Sequence, residues 1–279
     1  MQALVDASRA RDSVLVAGID PVPSRFPSGL RALPEAEATL RFCIGVLEAV
    51  EPYAAAIKLQ AAFFERLGPV GMEIYRGLIL ASEELALPVI ADVKRGDIGP
   101  VATAYAEAHL GVYGATCVTV NPYMGEDAVL PFLQEARGQE RGGGVFVLVA
   151  TSNPSSGDLQ QSTDPPLFEL AAGLVARLGE RNGDYSDAGA VVGVTRPEIG
   201  GRVRRILPDT LFLSPGYGAQ GGDASGVRYL LDRNGGGVLV NSSRNILYAY
   251  ETSTADYKTA AREAARRTRD ELSLVGAQL

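Results

Sequence analysis

Eight short, continuously apolar runs recur along the chain, separated by longer stretches with helical periodicity, and that alternation leaves few folds open. The runs are Val14–Ile19, Ala54–Leu59, Val89–Val93, Thr116–Val120, Val145–Ala150, Ala190–Val194, Thr210–Leu213 and Gly237–Val240. They are apolar at consecutive positions rather than alternate ones, as parallel strands covered on both faces must be. Helices are predicted over Glu35–Val50, Ala61–Leu85, Val101–Leu110, Glu126–Arg137, Leu167–Leu178, Pro197–Ile206 and Gly226–Asp232, with an eighth over about 255–274. A unit of about 35 residues, repeated through 279 residues, has the size of a closed (β/α)8 TIM barrel. The expected fold class is therefore α/β, a single barrel domain over residues 1–279. Periodicity alone leaves a doubly wound open sheet as the alternative.

Three connections are rich in Pro, Ser or Gly: Pro21–Pro34, Asn153–Pro166 and Pro215–Gly222, the last with four glycines in eight residues. Each lies beyond the carboxyl end of a strand, the face on which barrel active sites are built. The segment Arg181–Gly189 precedes a strand and is expected to be structural.

Several function classes fall away. No apolar run approaches the ~20 residues that span a bilayer, and the start Met-Gln-Ala-Leu-Val-Asp lacks the basic and apolar regions of a secretory signal. A cytoplasmic protein without membrane attachment is expected. A formal charge of −7 argues against a broad basic face for nucleic acid, though not against a local cationic pocket. Cys43 and Cys117 stand in apolar surroundings and are expected to be buried packing residues rather than a disulfide or metal site. His109, the only histidine, is expected on a helix in a surface or packing role.

Charge collects in Ala91-Asp92-Val93-Lys94-Arg95-Gly96-Asp97-Ile98. Asp92 and Lys94 are two apart at the end of the third run, so on a strand they share one face. If that face is the barrel interior, each needs the other to stay ionised, because an unpaired buried charge is very costly. Lys58, set between Ile57 and Leu59 in the second run, needs a partner too, and Asp92 is the candidate. A single pair of this kind is more often a structural salt bridge. Polar residues at one strand end after another, with Asp20 after the first run and Ser152 and Asn153 after the fifth, point instead to a shared pocket.

A second constellation suggests a phosphate. Ser214-Pro215-Gly216-Tyr217-Gly218-Ala219-Gln220-Gly221-Gly222-Asp223 follows the seventh run, and Asn241-Ser242-Ser243-Arg244-Asn245 follows the eighth. Barrels often bind phosphate on these two loops, at backbone N–H groups opening a helix. Arg244 would add a permanent charge and a fork of donors. Tyr217 could pack over a closed site or stand as an exposed loop aromatic.

Taken in order from Gly18 to Arg244, the set Lys58, Asp92-Val-Lys94-Arg-Gly-Asp97-Ile98, Ser214–Asp223 and Arg244 resembles orotidine 5′-phosphate decarboxylase. The insertions and Thr151-Ser152-Asn153-Pro154 resemble the longer bacterial branch of that family. The resemblance implies that Lys58, Asp92, Lys94 and Asp97 form an alternating charged array. It implies that Asp97 and Ile98 reach into a partner subunit's site, giving a homodimer with shared active sites. Asp20 would hold ribose hydroxyls, and Ser152 and Asn153 would contact the pyrimidine or close over it. Gln220, Ser243 and Arg244 would bind the phosphate, and Pro215 would belong to the substrate-binding set. One departure stands out: many relatives carry a threonine four residues after the second aspartate, where this chain has Val101. Thr103 is two positions out of register, so that ribose contact is not carried over.

The implied reaction turns orotidine monophosphate into UMP and CO2, leaving a carbanion at C6. No cofactor motif in the sequence offers an electron sink, so no cofactor is expected and preorganised charge must do the stabilising. Lys94 would stabilise and then protonate C6, while Asp92 would lie near the departing carboxylate. Two rivals are a Mg²⁺-dependent phosphosugar aldolase or decarboxylase on the same barrel and a non-catalytic nucleotide-binding barrel. The first needs a cation where Lys58 puts an ammonium. The second would carry a broken charged array, and all four members are present.

Overall fold

In the computed structural model, which describes residues 1–181, 183–218 and 222–275, the apolar runs become eight parallel strands. They are β1 Leu15–Ile19, β2 Ala56–Gln60, β3 Val89–Arg95, β4 Cys117–Val120, β5 Gly144–Ala150, β6 Ala188–Val192, β7 Phe212–Ser214 and β8 Val238–Ser242. Each pairs with the next and β8 pairs with β1, so the sheet closes into a barrel and the open-sheet alternative is excluded. Nearly every strand residue is buried, because the helices cover the outside while side chains fill the inside. Phe42, Phe64, Phe132, Phe146, Phe168 and Phe212 are all fully buried, each worth roughly 1.5–3 kcal/mol of transfer from water.

The helices follow the predicted spacing with instructive breaks. Glu35–Val50 and Leu167–Leu178 occur as expected. The expected single helix over Ala61–Leu85 is two, Ala62–Glu65 and Pro69–Glu84. Gly68 turns at φ 67 between them, a conformation glycine adopts freely, and Pro69 opens the second helix. The helix expected over Val101–Leu110 runs Gly99–Ala106 and continues as a π-helical turn, Glu107–Val112. The strand expected at Ala190–Val194 sits two residues earlier as β6, whose pairing with β5 ends at Ala150 and Val192, closed by the Gly193 N–H donating to the Ala150 carbonyl. The chain also opens with a helix the sequence reading did not include, Gln2–Arg11, which buries Leu4 and Val5.

At the amino ends of the last strands, Arg204 is 8% exposed. Its guanidinium donates to the carbonyls of Leu230, Leu207, Thr210 and Gly237 at 2.7–3.0 Å and stacks 3.6 Å over the Phe212 ring. Burial lowers its pKa to about 10, still far above neutrality, so it stays charged and its hydrogen bonds and ring contact offset the desolvation. Cys43 and Cys117 are both buried free thiols, as expected. His109 is buried too, edge-on to Tyr75 and near Tyr113, so of the two roles expected for it the packing role holds.

Candidate active site

Strand register decides which polar side chains meet. Gly18 lies level with Lys58, Gln60 with Asp92, and Val16 with Asn241. Lys58, Gln60, Asp92 and Asn241 therefore gather at the carboxyl end of the barrel, around a cavity of about 400 Å³. Its wall holds Asp20, Lys58, Asp92, Lys94, Ser152, Asn153, Pro215, Ser243 and Arg244 of the expected residues. Gln60, Leu148, Thr151, Val191, Gly216, Tyr217 and Asn241 line it as well. A larger cavity of about 660 Å³ adjoins it beside helix Leu167–Leu178, but among the described residues Arg177 is the only charged one on that wall. The smaller one carries the charge.

Asp92 is the hub. Its Oδ2 accepts from the Lys58 ammonium at 2.7 Å and from Gln60 Nε2 at 3.1 Å. Its Oδ1 accepts from the Lys94 ammonium and from the Thr119 hydroxyl, the latter at 3.0 Å. Burial by itself would raise the Asp92 pKa, but Lys58 and Lys94 outweigh it and hold the carboxyl well below the usual range. Burial likewise works against the Lys58 charge, and Asp92, then Asp20, overturn that and raise its pKa. Both groups stay ionised inside the barrel. Lys94 differs in exposure: its side chain is 44% exposed against 8% for Asp92, so its ammonium faces the cavity from the paired carboxylate.

The backbone under Lys94 is unusual. Its φ is 46, a left-handed conformation costing a non-glycine residue roughly 1–3 kcal/mol and often retained at functional sites. It falls where the β3–β4 register shifts, between Ala91 and Arg95. Asp92 and Lys94 thus meet through a bulge, not the plain strand alternation their spacing suggested.

The other rim is polar and close-packed. A Cβ on Gly18 would lie 1.9 Å from Ser243 Oγ and 2.9 Å from Asn241 Oδ1, so only glycine lets β1 and the turn after β8 approach this way. Asp20 and Asn241 line the cavity, and their Oδ1 atoms are buried with no hydrogen-bond partner among the described residues. Arg244 stands exposed at its mouth. Tyr217 is buried, its ring on the wall and its hydroxyl donating to Glu271 at 2.9 Å; the exposed-aromatic alternative does not hold. Asn153 accepts from the Thr151 hydroxyl at 2.6 Å.

Two expected residues lie elsewhere within the chain. Asp97 accepts from the Ile98 N–H at 2.8 Å, and neither residue is on the cavity wall. Ile98 is 51% exposed, next to Val101 at 47%. Gln220 lies outside the described residues. Thr103 turns its hydroxyl to the Gly99 carbonyl of its own helix. Sequence reading missed Gln60, Thr119, Thr151 and Asn241 as site residues. For Gln60 and Asn241 a signal was present: each stands two positions from a residue already singled out, on the same strand face or rim.

The family model described as Orotidine 5'-phosphate decarboxylase / HUMPS family matches residues 15–260. The orotidine 5'-phosphate decarboxylase of Rhodopirellula baltica is 41% identical, over 90% of this chain and 88% of that one. That of Deinococcus radiodurans is 41% identical, over 98% of this chain and 96% of its own. Among solved structures, Leishmania donovani OMP decarboxylase superposes with a TM-score of 0.79 at 32% identity, covering 98% of both chains. By sequence over nearly its whole length, and by the barrel those sequences share, the chain belongs to the orotidine 5′-phosphate decarboxylase family.

Proposed function

We propose that this chain decarboxylates orotidine 5′-monophosphate to UMP in de novo pyrimidine synthesis, with Lys94 and Asp92 at the reacting carbon. The observation that carries the assignment is a buried carboxylate with an ammonium on each oxygen, set in the cavity wall. The C6–carboxylate bond breaks and its electron pair stays on C6. Lys94, charged and facing the cavity, stabilises that pair and then delivers a proton to C6, regaining one from solvent. Asp92 lies against the substrate carboxylate and is relieved as neutral CO2 leaves. Fixed charges of this kind need no reorganisation during the reaction. Lys58 keeps Asp92 anionic.

The remaining wall residues are assigned by position. Asp20, on the cavity wall just after β1, takes ribose hydroxyls, and Ser152 and Asn153 take the pyrimidine. Ser243 and Arg244 hold the phosphate and Pro215 borders the substrate; Gln220, outside the described residues, joins the phosphate set by the family resemblance alone. The reaction uses no cofactor and no metal. Asp92, the carboxylate that a divalent cation would want, already accepts from two ammoniums, an amide and a hydroxyl.

The acting form is a homodimer in which Asp97 and Ile98 complete the partner's site. Support comes from a carboxylate that is not on its own chain's cavity wall, next in sequence to exposed Ile98. Residues 1–279 act as one barrel domain. No helix among the described residues is long and apolar enough to cross a membrane, in keeping with work in the cytoplasm. Lys94→Ala tests the core of the assignment: kcat should fall by at least the ~10²–10⁴-fold typical of losing a general acid. Unchanged turnover would remove Lys94 from the reaction.

A further inference from the structure

From the hydrogen bonds around the β3 bulge, we infer that Thr119 is a positioning residue that sets the mutual geometry of Asp92 and Lys94. This rests on the assignment of the reaction to those two residues. Thr119 is 1% exposed on β4 and does not line the cavity. Its hydroxyl has one hydrogen and two lone pairs, and the structure uses all three. The hydrogen goes to Asp92 Oδ1 at 3.0 Å, the oxygen that also holds the Lys94 ammonium. The lone pairs accept the backbone N–H groups of Val93 and Lys94, each at 3.0 Å.

Those two N–H groups lie where the ladder is interrupted. Ala91 pairs with Val118 and Arg95 with Val120, so four steps along β3 are matched by two along β4. Within that unmatched interval both N–H groups turn to the Thr119 side chain. One hydroxyl therefore replaces the missing ladder partners, holds Lys94 at φ 46, and fixes the rotation of the Asp92 carboxylate. Backbone, carboxylate and ammonium are tied at a single atom. A change there moves both reacting groups without touching the substrate.

Thr119→Val keeps shape and removes the hydroxyl, while Thr119→Ser keeps the hydroxyl and removes a methyl. Steady-state kinetics on orotidine 5′-monophosphate should show kcat in Thr119→Val reduced on the order of 10²-fold, the effect of misplacing reacting groups by about 1 Å. KM should change little, because the phosphate and ribose ends are held by other loops, and Thr119→Ser should restore most of kcat. Wild-type kcat in Thr119→Val would overturn the inference. So would equal impairment in the Ser variant, which would assign the effect to packing of the methyl. Asp92→Asn and Lys94→Ala, measured alongside, separate the layers. If both keep wild-type kcat, the assignment of the reaction fails and the role of Thr119 with it. If both lose kcat while Thr119→Val does not, the inference alone fails.

Discussion

Replacing Lys58 with Met removes one ammonium from a buried pair and leaves the other charge behind. The Lys58 and Asp92 side chains are 6% and 8% exposed and 2.7 Å apart. Breaking such a pair from one side costs about 3–5 kcal/mol, mostly because the remaining ion is stranded. Asp92 would keep Lys94, Gln60 and Thr119 as donors, so the lower end applies, about 3 kcal/mol. In a domain of this size that corresponds to a fall in Tm of roughly 6–12 °C. Removing both charges at once, in Lys58→Met with Asp92→Asn, strands neither, and the second change keeps an oxygen for Thr119. The double variant should recover most of the loss, since replacing a whole buried pair is often near neutral. Urea unfolding of the wild type, both single variants and the double variant measures the coupling as a cycle. Single losses that simply add would refute the account, because they would mean that the two buried charges do not depend on each other.

Three further outcomes follow from the same geometry. Arg244→Ala should weaken binding of orotidine 5′-monophosphate far more than of free orotidine, read by competitive inhibition; equal losses would refute a phosphate role. Burial, with a smaller effect of Arg95, lowers the His109 pKa from 6.5 to about 4, so below pH 6.5 the unfolded chain binds the proton that the folded one refuses. That stabilisation is complete above pH 6.5 and is lost as pH falls toward 4, about 3 kcal/mol in all. His109→Gln should therefore lose much less stability than the wild type between pH 7 and 4.5, by urea titration, and parallel losses would count against it. Asp92, held below its ordinary 3.8, stabilises above that value and loses this only as pH falls further, so in Asp92→Asn stability should decline less between pH 4 and 2.

The barrel was legible because its strands are apolar at every position, which leaves little else for such runs to become. The pairing of Lys58 with Asp92 was legible for a related reason: a lysine inside an apolar strand demands a counter-charge, and the nearest carboxylate at a strand end supplied it. The breaks were harder. Gly68-Pro69 announced its helix boundary in two residues, yet the apolar periodicity ran through it. The start of β6 could not be fixed within Ala188–Val194, where small apolar residues fit strand or turn equally. Thr119 left no local signal at all. Its role arises from a register shift between two strands, and register is set by the closed sheet rather than by residues near Thr119 in sequence. The left-handed turn at Lys94 is hidden for the same reason, since nothing in Val93-Lys94-Arg95 favours a positive φ.

The most direct test mixes the purified protein with orotidine 5′-monophosphate and follows the ultraviolet change to UMP, with and without EDTA. Conversion that proceeds at the same rate in both is the result expected from a carbanion stabilised by Lys94 and Asp92. No conversion by folded protein, or conversion abolished by EDTA and restored by Mg²⁺, would contradict it.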